Sequence, residues 1–117
     1  MDVRIKRIYD SRSDADGMRI LIDRLWPRGL KKEDAGIDLW LKEIAPSDDL
    51  RRWFHHEAGK WAEFRERYEK ELRENEAAVK TLEDRIGRAT ATLLYGAKDT
   101  EHNQAIVLRD FLMKRRH

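Results

Sequence analysis

Between Arg19 and Leu30 the sequence reads RILIDRLWPRGL, so that Ile20, Leu21 and Ile22 run directly into Asp23, Arg24, Trp26, Pro27 and Arg28. A chain that needed only to turn has glycine, asparagine or serine for the task. Here two guanidinium forks, a carboxylate and an indole crowd the end of an apolar run instead. Arg24 and Arg28 suit a carboxylate or phosphate, because a planar fork meets two oxygens at once, and Trp26 offers a flat face for stacking. A second apolar run, TLLY, leads into GAKDTEHNQ and adds Tyr95, Lys98, Asp99, His102 and Asn103. Asp23 and His102 are the candidate acid and base, since an imidazole beside a carboxylate is a common proton-transfer unit. Arg24, Trp26, Arg28, Tyr95, Lys98 and Asn103 are the candidate ligand-binding residues. A plainer reading competes with this one: Asp23 and Arg24 form an ion pair that locks the loop, Trp26 anchors it, and His102 is an exposed first-turn residue.

These residues need a scaffold that brings them together. VRIKRIY, residues 3–9, alternates apolar and basic positions and reads as a strand near a sheet edge. Met18 to Leu25 reads as a second strand after the Asp16, Gly17 turn signal, and Pro27 stops it. Ala91 to Tyr95 reads as a third, central strand. Between the last two the apolar period lengthens to that of a helix. Residues 37–44 suggest a short helix ended by Pro46, and Ser47 caps the next one, with Asp48 and Asp49 in its first turn and an end near Gly59. Trp61, Phe64, Tyr68, Leu72, Val79, Leu82 and Ile86 form one amphipathic stripe broken around Asn75. Glu63 with Arg67, Glu66 with Lys70, Glu69 with Arg73 and Glu76 with Lys80 are spaced to pair on its wet face. Asp99 or Thr100 caps a last helix from Glu101 to about Lys114.

Composition bounds the rest. The 117 residues make one domain, residues 1–117, large enough to bury a core. The 25 basic and 23 acidic side chains are interleaved and nearly cancel, so nucleic acid is not the expected partner unless Arg4, Lys6, Arg7, Arg12 and Arg28 share a face. There is no cysteine, which excludes thiol catalysis and thiolate metal sites. His55 and His56 are adjacent and on a helix would diverge by about 100°, a poor metal pair. The Lys114 to Arg116 run reads as a solvated helix end. No apolar run approaches the roughly 18 residues of a membrane span, so a cytoplasmic protein is expected. No motif specifies a cofactor.

IDRLWPRGL, then LW..EIAPS..LRRWFHH..GKWAEFRERYEKEL, then TLLYGAKDTEHNQA, in that order over nearly the whole chain, resemble the YeaO-like family of uncharacterised bacterial proteins. The resemblance implies a compact cytoplasmic α/β domain with no established activity. A looser similarity reaches a larger group of domains in which the second strand ends in aspartate, arginine and proline, and the third leads into a cysteine, histidine, arginine segment. Here that segment is His102, Asn103, Gln104, so cysteine chemistry does not carry over. A first connection of about nine residues favours an antiparallel hairpin, because parallel crossovers usually need a dozen or more. The wider resemblance implies parallel strands. The expectation is therefore an α/β domain of two or three layers, with about three mostly parallel strands and four to five helices. If parallel, the strands end on one edge, where open α/β sheets place ligands. That edge would gather Asp10 and Arg12 with the residues above. The expected function is binding, with or without processing, of a small phosphate- or carboxylate-bearing metabolite. The alternative is a protein-interaction surface built on Trp26 and its arginines, the residue types enriched at binding hot spots.

Overall fold

A computed structural model describes residues 1–115 as an α/β domain built on a four-stranded sheet. Strands β1 (Asp2–Arg7), β2 (Met18–Leu21), β3 (Leu39–Trp40) and β4 (Thr90–Tyr95) lie in the order β1-β4-β2-β3, and every pairing is parallel. TATLLY makes β4 the centre because it has an apolar residue for each face. Leu93 faces Ile5 on one side and Ile20 on the other, while Leu94 joins Ile8 and Leu21 in a separate cluster. β1 is an edge strand, as its basic alternation predicts. The short link from β1 to β2 is a parallel connection after all. It passes β4 and is tied down at Asp16, a buried carboxylate held by Lys6 and Arg19.

Five helices are interspersed with the strands: α1 (Lys32–Ala35) before β3, α2 (Asp48–Phe54), α3 (Trp61–Glu74) and α4 (Glu76–Ile86) between β3 and β4, and α5 (Gln104–Arg115) after β4. α5 packs on β1 and β4 and is itself covered by α3, so the main core lies between sheet and helices. The other face is covered by a smaller cluster in which Trp26, Leu30, Ile37 and Trp40 pack on Ile8, Leu21 and Leu94. Ser47 caps α2 as expected, its Oγ accepting from the Leu50 N–H at 3.2 Å. The break at Asn75 is present too, and its Nδ2 donates to the Glu43 carbonyl at 2.9 Å.

Several boundaries differ from the sequence reading. The expected helix over 37–44 is instead β3 and a single 3-10 turn, Lys42–Ile44, because the Leu41 N–H donates to the Leu21 carbonyl at 3.0 Å and keeps this segment on the sheet. β2 ends at Leu21 rather than Leu25, and α2 ends at Phe54 rather than near Gly59. Of the four expected acid–base pairs on the long charged stretch, only Glu63 with Arg67 is made among the described residues. Glu69 pairs with Arg65, and Glu76 with Arg115. Arg115 also reaches Glu83 at 3.1 Å, so the end of α5 is clamped to α4 rather than left in solvent. Arg116, the rest of that basic run, lies outside the described residues. Among the described residues no helix is long and apolar enough to cross a membrane.

Candidate functional site

Ile22 keeps the chain on the sheet for one residue beyond β2, its N–H donating to the Leu94 carbonyl at 3.1 Å. Asp23 then leaves the sheet with its carboxylate turned toward the end of β4. There it accepts the Gly96 N–H at 2.9 Å and a hydrogen bond from the Gln104 side chain. Glycine is needed at 96 for this approach, because a Cβ there would lie 2.8 Å from Asp23 Oδ2. Burial raises the Asp23 pKa to about 6, against the opposing pull of the Gly96 and Gln104 hydrogen bonds.

The remainder of the loop explains its crowded composition. Arg24 makes no ion pair with Asp23. It donates to the carbonyls of Ala45 and Pro46 at 3.1 and 3.2 Å and lies 3.9 Å from Asp48, pinning the loop to the start of α2. Trp26 packs edge-on against Trp40 at 5.4 Å and donates its indole N–H to the Leu30 carbonyl at 2.6 Å, closing the WPRGL turn on itself. Arg28 is exposed and makes no ion pair among the described residues; its backbone carbonyl accepts the Tyr9 hydroxyl at 2.7 Å.

The approach to α5 is a second loop with tightly assigned polar groups. Asp99 Oδ1 accepts the N–H groups of Glu101 and His102 at 2.9 and 3.0 Å, and Oδ2 lies 2.9 Å from His102 Nδ1. The Glu101 N–H, more than any other partner, holds the Asp99 carboxylate below its ordinary pKa. His102 Nε2 makes no hydrogen bond among the described residues, and the ring meets Trp61 edge-on at 5.3 Å. The helix begins at Gln104 rather than Glu101, and Asn103 caps it, accepting the Ile106 N–H at 3.2 Å while donating to the Asp99 carbonyl at 3.0 Å.

These two loops face the end of α2 across a cleft of about 400 Å³. Its lining includes Asp23, Arg24, Trp26, Arg28, His102, Asn103 and Gln104 from one side and Arg51, Arg52, His55 and His56 from the other. Phe54, Phe64, Pro27 and Pro46 supply apolar surface. Three of the four histidines in the sequence therefore meet here. His55 and His56 follow the helix in left-handed backbone, with φ of 42° and 56°, and are the only non-glycine residues with positive φ among those described. Strain of this kind costs about 1 kcal/mol or more per residue and persists only where the surroundings impose it.

Not every expected residue reaches the cleft. Tyr95 is buried in β4, and burial raises its pKa. Lys98, Asp10 and Arg12 do not line the cavity. Asp23 and His102 line it but share no hydrogen bond; each has its own partners. The sequence reading missed Arg51, Arg52, His55, His56 and Gln104. His55 and His56 do not diverge as helix neighbours would, because both lie past the end of α2. The signal for them is histidine standing twice where helices commonly end in glycine. No group of three or more histidine, aspartate or glutamate side chains among the described residues could hold a metal ion.

Relatives share this chain nearly end to end. The uncharacterized protein YeaO of Escherichia coli (strain K12) is 50% identical over 112 residues, covering 96% of this chain and 97% of its own. An uncharacterized protein of Mycobacterium tuberculosis (strain H37Rv) is 37% identical over 110 residues, covering 94% of this chain and 92% of its own. No solved structure matches. The family model described as the inactive DUF488-N3 subclade matches residues 2–117, and the chain belongs to that family.

Proposed function

We propose that the cleft binds a small anionic metabolite bearing phosphate or carboxylate, without turning it over. The observation that carries this reading is the charge of the lining: four arginines stand against a single carboxylate that already accepts two hydrogen bonds, and only Arg24 and Arg51 are paired, both with Asp48. Arg28 and Arg52 are exposed there and make no ion pair among the described residues, so their forks are available to oxyanions. The apolar surface of Phe54, Pro27 and Pro46 gives the body of such a ligand a place to rest, and the cavity is of the size that small-molecule sites have. Binding rather than turnover agrees with the description of the family as inactive and with a chain that has no cysteine for the segment after β4. A cytoplasmic location belongs to the same reading, as the place where phosphorylated metabolites are found.

The interaction-module alternative is weakened by the position of Trp26, which turns inward on Trp40 and closes its own turn. Thermal denaturation with inorganic phosphate, adenosine monophosphate and succinate tests the proposal. At ten times Kd a ligand stabilises by about 1.4 kcal/mol, worth roughly 4 to 7 °C in a domain of this size. Arg28→Ala should leave the Tm of the free protein nearly unchanged and abolish that rise. If none of the three compounds raises the Tm of the parent at millimolar concentration, the proposal is wrong.

A further inference from the structure

Asp23 is the single carboxylate in the wall of a cleft otherwise furnished with cationic and imidazole groups. In a site that only attracted anions, such a group would be a defect, since it repels every ligand that the arginines draw in. The fold nevertheless builds a place for it. Gly96 is the residue that permits its approach, the Gly96 N–H and the Gln104 amide hold it, and Trp40 ties its backbone carbonyl at 2.7 Å. These hydrogen bonds occupy one acceptor position on each carboxylate oxygen, while a carboxylate has about four in all. What remains can accept from a ligand but, when ionised, cannot donate to one.

We propose that Asp23 is the specificity-determining residue of the cleft and selects oxyanions that carry their own proton, hydrogen phosphate being the simplest, over fully deprotonated ones such as sulfate. The inference rests on the anion-binding reading above and deepens it. Arg28 and Arg52 supply the attraction that both kinds of anion share, and Asp23 reads the proton. A ligand O–H turns its repulsion into a charge-assisted hydrogen bond, whereas sulfate meets an unpaired like charge. Sites built to hydrogen-bond a ligand hydroxyl discriminate strongly against analogues that lack it.

Hydrogen phosphate and sulfate at about pH 8 are tetrahedral dianions that differ chiefly in one proton, and Asp23 is then ionised. Calorimetric titration of the parent with each, at constant ionic strength, should give at least about a tenfold tighter Kd for phosphate. Asp23→Asn, whose amide can donate to sulfate, should reduce that ratio to about threefold or less. Gln104 can turn its own amide to meet the new side chain. Equal affinity for the two ions in the parent overturns the proposal while leaving the anion site standing, and needs no variant to fold. A preference that survives intact in folded Asp23→Asn overturns the role of Asp23. If neither ion binds, the proposal fails, and the adenosine monophosphate and succinate measurements decide separately whether the anion-binding reading fails with it.

Discussion

Asp23 is charged at neutral pH in a place that penalises the charge, and this gives its linkage to stability an unusual sign. Its folded pKa of about 6 lies above the ordinary value of 3.8. Between those values the folded protein retains a proton that the unfolded chain has released. Stability from this residue therefore falls as pH rises from about 4 to about 6, and above that window the penalty is on the order of 2 to 3 kcal/mol. Asp16 works in the opposite sense. Burial alone would raise its pKa, but the hydrogen bonds from Lys6, Ser13 and Arg19 outweigh it and hold the value at about 2, so its contribution is present above about pH 4 and is lost as pH falls through 2. We expect Asp23→Asn to stabilise the protein by about 1 to 2 kcal/mol at about pH 8 and to change little at about pH 4. Urea unfolding at the two pH values measures this, and an equal effect at both would mean that charge is not what the substitution removes.

The elements that carry the cleft show two ways of placing a side chain. The crossover before β2 uses a buried ionic clamp. Arg19, 2% exposed, donates to Asp16 and to the carbonyls of Ala35 and Gly36, so it joins that crossover to the segment before β3. Asp16→Ala should cost about 3 to 5 kcal/mol, because it leaves a guanidinium buried without its counter-charge. The end of α2 uses backbone strain instead. Replacing His55 with glycine should leave stability unchanged or raise it by up to about 1 kcal/mol, while weakening phosphate binding, the opposite of the usual penalty for a truncation. Loss of more than about 1 kcal/mol in denaturant melts would show that packing, not function, holds that histidine in place. Long elements were legible before the fold was known: α3 and α4, their break at Asn75 and the Ser47 cap all follow from apolar period and capping chemistry. β3 was not, since two residues hold too little alternation to outweigh a helical pattern, and only their pairing with Ile20 and Leu21 makes them a strand.

At the scale of the whole molecule, the sheet order β1-β4-β2-β3 gathers at one end loops distant in sequence. Asp23 meets Gln104 across 81 residues, a distance over which no local pattern speaks. This is why the loop after β2 could be recognised as chemically loaded from its residues, while Gln104, rather than Arg24, as the partner of Asp23 could not. The cleft also shares material with the core. Phe64 stacks on Phe54 at 4.2 Å and on Trp61 at 5.7 Å, and both Phe54 and Phe64 contribute to the cavity wall. Stability and binding should therefore be coupled on that side of the domain and separable elsewhere. Phe64→Ala should cost about 3 to 5 kcal/mol and weaken phosphate binding in the protein that remains folded. Leu82, fully buried in α4 and absent from the cleft lining, offers the contrast: Leu82→Ala should cost about 2 to 5 kcal/mol while the folded fraction binds phosphate as the parent does. Calorimetric Kd values for both variants, each taken well below its own Tm, test the distinction. Equal loss of affinity in the two would place the anion site under the control of global stability rather than of the aromatic wall beside it.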